Sequence, residues 1–103
     1  NKYDDWILNE LKTTIKKVNA SLNNFRFAEA AELIYEFMWH KLADVYIEKT
    51  KERKSESSET LLSVIRTSLK LLHPFMPFVT EAVWGELFPD EGLLINQPWP
   101  TVK

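Results

Sequence analysis

The chain has 103 residues, with 13 Lys and Arg against 15 Asp and Glu, two His and no Cys, for a formal charge of −2. The length fits one domain rather than two, and the missing thiols exclude a disulfide framework, thiolate zinc sites and cysteine nucleophiles. Net negative charge excludes holding nucleic acid by bulk charge alone, and no apolar run reaches the ~18 residues of a membrane span, so no membrane partner is expected.

Gly is nearly absent (Gly85 and Gly92), and all five Pro lie after residue 73. Residues 1–73 therefore hold no strong chain breaker, which favours long helices. A first helix is predicted from Asp4 or Asp5, whose carboxylates suit a helix N-terminus. Its apolar stripe reads Leu8, Leu11, Ile15, Val18, Leu22, Phe25, the seam of a bundle helix. Asn23 to Phe27 reads as a turn. A second helix, from about Ala28 to Lys49, has the stripe Ala31, Tyr35, Met38, Leu42, Val45, widened by Ile34, Trp39 and Tyr46. Residues 49–60 carry no apolar side chain and read as a helix end followed by a loop.

A third helix is predicted from Ser57 or Ser58, with Leu62, Ile65, Leu69 and Leu72 inside, ending near His73 because Pro74 disfavours helical geometry before it. A fourth follows with Pro77 as its first residue and Val79, Val83 and Leu87 inside, helped by Phe78 and Trp84. Gly85 within it signals close packing or an approaching helix end. Leu93 to Gln97 reads as extended, and Pro98-Trp99-Pro100 bars regular structure. The predicted fold is all-α: an up-and-down four-helix bundle with a short extended C-terminal tail, forming one domain over residues 1–103.

No catalytic constellation is present. The two Gly form no phosphate-binding loop. His40 and His73 are too few and too far apart for a metal cage, so no metal site is expected. His40 and Asp44, spaced i and i+4, read as a helix-surface pair rather than a dyad. His73 reads as a cap on the third helix. Ser55, Ser57 and Ser58 read as solvated loop residues, with phosphorylation as the second option.

Binding signals are local. Lys49, Lys51, Arg53 and Lys54 give residues 49–54 a net +3, while residues 25–48 and 71–103 each carry −3. That run reads either as a soluble helix end or as a phosphate-facing patch. Trp6 falls off the Leu8–Leu11 seam and reads as pointing away from the core; it either stacks on an unpaired base or packs against an element outside this chain. In Phe25-Arg26-Phe27 the rings read as core and Arg26 as solvated, with base stacking by Arg26 as the sharper alternative. Arg66 is a candidate phosphate contact on an otherwise solvated face. A rival class is a protein-interaction bundle using Trp39, Tyr46 and Trp84.

Leu71-Leu72-His73-Pro74-Phe75-Met76-Pro77-Phe78-Val79-Thr80-Glu81, followed by Val83-Trp84, resembles a signature of the anticodon-binding domain in class I aminoacyl-tRNA synthetases. The form with His-Pro-Phe-Met-Pro-Phe is most similar to the valyl branch, with the leucyl and isoleucyl branches next. Asp5-Trp6-Ile7-Leu8, Phe25-Arg26-Phe27-Ala28-Glu29-Ala30-Ala31, Tyr35-Glu36-Phe37-Met38-Trp39, Asp44-Val45-Tyr46-Ile47-Glu48 and Pro98-Trp99-Pro100 resemble further family stretches in the same order. Departures stand at His40, where the family has an acid, at Ala43, where it has Cys, and at Val45, where it has Trp.

The resemblance implies a tRNA anticodon stem-loop as partner, and a separate catalytic domain of the same enzyme that uses ATP and carries HIGH and KMSKS motifs. Neither motif occurs here, so no catalytic residue and no cofactor are expected in this chain. Together with the lack of an initiator Met, the resemblance leads to the expectation of a fragment of a larger cytoplasmic ligase, monomeric by itself. The candidate RNA contacts remain those drawn from charge and exposure: Trp6, Arg26, Lys49, Lys51, Arg53, Lys54 and Arg66.

Overall fold

The run of residues without Gly or Pro folds as the patterning predicts, into long helices. The structure is a computed structural model and describes residues 2–48 and 54–102. Helix α1 spans Lys2–Asn23, with Asp4 and Asp5 in its first turn. Helix α2 spans Phe27–Glu36 and continues without a break as a π-helical segment, Phe37–Ile47. Helix α3 spans Lys54–Leu72 and α4 spans Pro77–Leu87, with Pro77 at its first position as predicted. Two 3-10 turns follow, Pro89–Glu91 and Leu94–Asn96. The all-α bundle prediction holds, and among the described residues there is no strand.

α1 packs on α2, on the π-helical segment and on α3. Tyr46 donates its hydroxyl to Asp4 at 2.5 Å, and the Lys41 ammonium meets Glu10 at 2.9 Å, so the second element runs back along the first. The main core joins Ile7, Leu11, Ile15 and Val18 of α1 to Ala30, Ile34 and Phe37, then to Leu42, Tyr46, Val64 and Leu71. A second core lies between α3 and the C-terminal third: Leu69, Trp84, Phe88 and Leu94, with Ile65 packed against it. α3 thus serves two cores from two sides. Val64 and Leu71 belong to the main core, Leu69 to the second, and Ile65 packs against both.

The buried stripes are rotated from the predicted ones. In α1 the buried residues are Ile7, Leu11, Thr14, Ile15, Val18 and Ser21; Leu8 and Leu22 are only half-buried at the edge, and Phe25 is 79% exposed. In α2 Ala30 and Ile34 are buried and Tyr35 is not. Beyond it, buried positions fall at Phe37, Leu42 and Tyr46, wider gaps than an α-helix gives. The i→i+5 turns of a π-helix enlarge the repeat and bring Tyr46 rather than Val45 onto the core line. In α3 Val64, Ser68 and Leu71 replace Leu62 and Leu72 at the centre. In α4 Thr80 and Trp84 are buried, while Val79, Val83 and Leu87 are exposed and Phe78 is 89% exposed.

Small hydroxyl residues explain much of this rotation. The hydroxyls of Thr14 and Thr80 donate to the carbonyls of Glu10 and Met76, each at 2.8 Å. A hydroxyl satisfied within its own helix enters a core at little polar cost and lets backbones approach closely. The side chain of His73 bonds the Thr80 hydroxyl at 3.1 Å. With the hydroxyl hydrogen on Met76, the ring Nδ1 is the donor. His73 therefore ties the end of α3 to the start of α4 rather than capping the α3 carbonyls as predicted.

The tail is more ordered than a simple extended segment. Leu93 and Gln97 have extended backbone, but the residues between them form a 3-10 turn that buries Leu94. The Glu81 carboxylate accepts the backbone N–H groups of Leu94 at 2.6 Å and Ile95 at 3.2 Å. The indole of Trp84 donates to the Gly92 carbonyl at 3.1 Å. Gly92 has φ +76° and ψ −161°, a region closed to residues with a Cβ. The tail then crosses to α1, where Trp99 donates to the Asn19 side chain at 2.6 Å, and the same side chain donates to the Pro100 carbonyl. Around Gly85 there is open space; it marks the approaching end of α4, not close packing.

Candidate nucleic-acid interface

The predicted contact residues separate into three places. Trp6 lies near the start of α1. At about 100° per residue, it falls on one flank of the stripe centred on Ile7, opposite Leu8. It is half-buried against the main core rather than turned away from it. Its exposed part lines an apolar cleft of about 480 Å³ with Lys2, Tyr3 and Val45. The Lys2 ammonium lies 5.4 Å from the centre of the Tyr3 ring.

The π-helical segment reaches this same end of the bundle, since Tyr46 meets Asp4 there. Lys49, Lys51 and Arg53 lie outside the described residues; Lys54 opens α3.

Arg26 lies just past the opposite end of α1, where the stretch from Trp6 to Asn23 alone spans about 25 Å at 1.5 Å per residue. It is exposed and makes a 3.6 Å pair with Glu29, also exposed. A cleft of about 380 Å³ at this end is bordered by Lys17, Ser21, Asn24, Arg26, Glu29 and Leu33. The two neighbouring rings are not core. Phe25 and Phe27 both project into solvent, 6.3 Å apart and edge to face.

Arg66 is engaged inside the molecule. Its guanidinium forms a bidentate pair with the Glu91 carboxylate, the Nη2–Oε2 contact being 2.6 Å. It also lies over the Phe88 ring at 4.5 Å and the Trp84 ring at 5.6 Å. A planar cation stacked on rings and forked onto a carboxylate is a strong pairing geometry. It fixes the first 3-10 turn to α3. The hydrogen bond from Arg66, with its charge and that of Lys70, holds the Glu91 carboxyl below the usual carboxylate range.

Lowering a carboxylate pKa on folding stabilises the folded state above the unfolded value, near ~4.3, and that contribution is lost as pH falls through the folded value. We expect Glu91→Gln to lower Tm near neutral pH and to match the wild type once both are well below the carboxylate range. Thermal melts across that acid window measure it; a Tm gap independent of pH would refute the pairing.

His40 has Glu36 at 3.8 Å and Asp44 at 3.4 Å, all three exposed, as the helix-surface reading expected. Tyr46 and Trp84, two of the rings proposed for a protein-binding face, are fully buried and present nothing to a partner; Trp39 is exposed and stacks on Tyr35 at 5.6 Å. Among the described residues no group of three or more His, Asp or Glu is placed to hold a metal ion, and no helix is long and apolar enough to cross a membrane.

Sequence reasoning missed Phe25 and Phe27 as surface rings and Lys17 as a cleft residue. One signal was available: a ring directly after Asn24, where a helix end favours Gly or Asn.

Residues 4–103 match a family model described as the anticodon-binding domain of tRNA ligase, which covers all four helices and the tail. The chain is 44% identical over 105 residues to valine–tRNA ligase of Carboxydothermus hydrogenoformans, covering 94% of this chain and 12% of the relative. It is 42% identical over 106 residues to that of Fervidobacterium nodosum, covering 97% and 12%. With the enzyme of Bacillus thuringiensis it shares 40% over 109 residues, covering 97% and 12%. The chain thus spans about an eighth of the length of these relatives.

Proposed function

The chain belongs to the family of anticodon-binding domains of tRNA ligases, and from that membership we propose that it is the part of a valine–tRNA ligase that receives the anticodon stem and loop of tRNA. The observation that carries this reading is the match over residues 4–103, which includes every helix of the bundle. In this reading residues 1–103 are one helical domain of a larger cytoplasmic enzyme. A catalytic domain elsewhere in the polypeptide uses ATP to join valine to tRNA. The present chain positions RNA, supplies no catalytic residue, holds no cofactor and acts as a monomeric unit.

The charge distribution supports a divided interface. Trp6 meets an unpaired base at the end of the bundle where α1 starts, and the cations Lys49, Lys51, Arg53 and Lys54 meet backbone phosphates. Arg26 meets unpaired nucleotides at the other end. Arg66 contributes by holding the tail against α3, its fork being occupied by Glu91.

The test is titration of tRNA, with and without its anticodon loop, at about 50 and about 200 mM salt. Intact tRNA is expected to bind more tightly, with affinity falling as salt rises. Replacing Lys49, Lys51, Arg53 and Lys54 together by Gln should reduce the log–log salt slope by about 3. Equal binding with and without the loop would overturn the anticodon reading. One observation favours a second reading, a protein-interaction bundle: Phe78, Val79, Val83 and Leu87 are all exposed on α4. Unchanged tRNA affinity after neutralising residues 49–54 would favour it.

A further inference from the structure

α1 closes with a Schellman arrangement: the Phe25 N–H bonds the Leu22 carbonyl at 3.0 Å, and the Arg26 N–H bonds the Ser21 carbonyl at 2.8 Å. The residue at the bend takes the left-handed conformation that Gly or Asn adopts without strain. Here it is Phe25, with φ +60°, the one non-Gly residue with positive φ among those described. A bulky side chain there is strained, and its ring is 79% exposed. Strain opposes folding, and no burial of the ring offsets it. Backbone strain of this kind concentrates where a side chain must be presented for use.

The surroundings indicate the ligand. Phe27 stands edge-on to Phe25 and is also exposed. Arg26 lies between the two rings in sequence, and the adjoining cleft contains Lys17 and Asn24. The pair that engages Arg26, with Glu29 at 3.6 Å, is solvent-exposed and therefore weak, so the guanidinium is available to a stronger anion. A nucleotide offers both required surfaces, a flat π face for the ring and an anionic phosphate for the cations. An apolar peptide would leave Lys17 and Arg26 without a counterpart.

We propose that Phe25 is a stacking platform for an unpaired nucleobase of single-stranded RNA, with Arg26 and Lys17 on the neighbouring phosphate. This deepens the anticodon-binding reading and rests on it. The Schellman bend sets the direction of the ring before RNA arrives, so little ordering remains to be done on binding.

The test combines thermal melts with fluorescence anisotropy of the full chain against an anticodon stem-loop RNA. Phe25→Gly is expected to keep the fold and raise Tm by about 4 °C as strain is released. It should also weaken RNA binding about ten-fold, with the salt slope unchanged. Phe25→Tyr should bind like the wild type. Phe25→Leu, with apolar bulk but no π face, should bind like Phe25→Gly. Arg26→Gln should instead lower the salt slope by about one.

Wild-type affinity in Phe25→Gly or Phe25→Leu would overturn the platform while leaving the anticodon-binding reading intact. A Tm that falls in Phe25→Gly would overturn it in favour of packing. Unchanged RNA binding with altered self-association would assign the corner to a protein contact. Failure of the wild-type chain to bind the stem-loop would remove both this proposal and the reading beneath it.

Discussion

Trp84→Ala is expected to cost about 3–5 kcal/mol and to release the C-terminal third from α3. Trp84 is fully buried, packs its ring 4.7 Å from that of Phe88, donates to the Gly92 carbonyl and carries the Arg66 guanidinium on its face. Its removal empties the middle of the second core and leaves the Gly92 carbonyl without this donor. It also loosens the two 3-10 turns, the first held by Arg66 and the second by Glu81. The cost is a large part of the ~5–15 kcal/mol typical of a domain, so Tm should fall by about 15–30 °C.

Hydrogen exchange locates the damage. Amide protection at Leu94, Ile95 and Gln97 should collapse first, while the core helices α1 and α2 lose only what global destabilisation removes. Trp84→Phe, which keeps most of the ring but loses the N–H, should cost much less. A Trp84→Ala protein within about 1 kcal/mol of wild type would show that the second core carries little stability.

Ile7→Ala and Leu8→Ala are expected to differ sharply although the residues are neighbours. Ile7 is fully buried among residues of three elements, so its truncation should cost about 2–5 kcal/mol. Leu8 lies half-buried at the edge of the same core and should cost less than half as much, because solvent and mobile neighbours fill the space it leaves. Urea melts of both variants measure this with one assumption, an unchanged m-value. The reverse order would restore the α1 seam that begins at Leu8.

That seam shows where sequence reasoning reached its limit. The helices and breakers were legible because they depend on local chemistry. Pro77 begins α4, the Asn24 region ends α1, and the residues without Gly or Pro form long helices. The ordered family motifs were legible for the same reason, since they are strings of adjacent residues. The site was less so. Arg66 looks like a free cation until Glu91, 25 positions away, is brought onto it. Phe25 looks like one more apolar residue in a heptad pattern until the helix ends beneath it and the chain bends left-handed.

From sequence alone came the all-α class, the number of helices, their breakpoints apart from the start of α3, which opens at Lys54 rather than at Ser57 or Ser58, the family and the concentration of positive charge at residues 49–54. The tertiary structure decided which face of each helix is inside. A helical period survives rotation about its axis, and in this chain the apolar stripes are wide enough to admit more than one rotation. Thr14, Ser21, Ser68 and Thr80 take buried positions that a polarity rule assigns to solvent, where small side chains let helices approach closely. The π-helical turns then shifted the repeat from Phe37 onward. Val79, Val83, Leu87 and Phe78 were left outside and Thr80 and Phe88 brought inside beside Trp84, because the position of α4 is set by its contacts with α3 and the returning tail, and these exist only once the chain has folded.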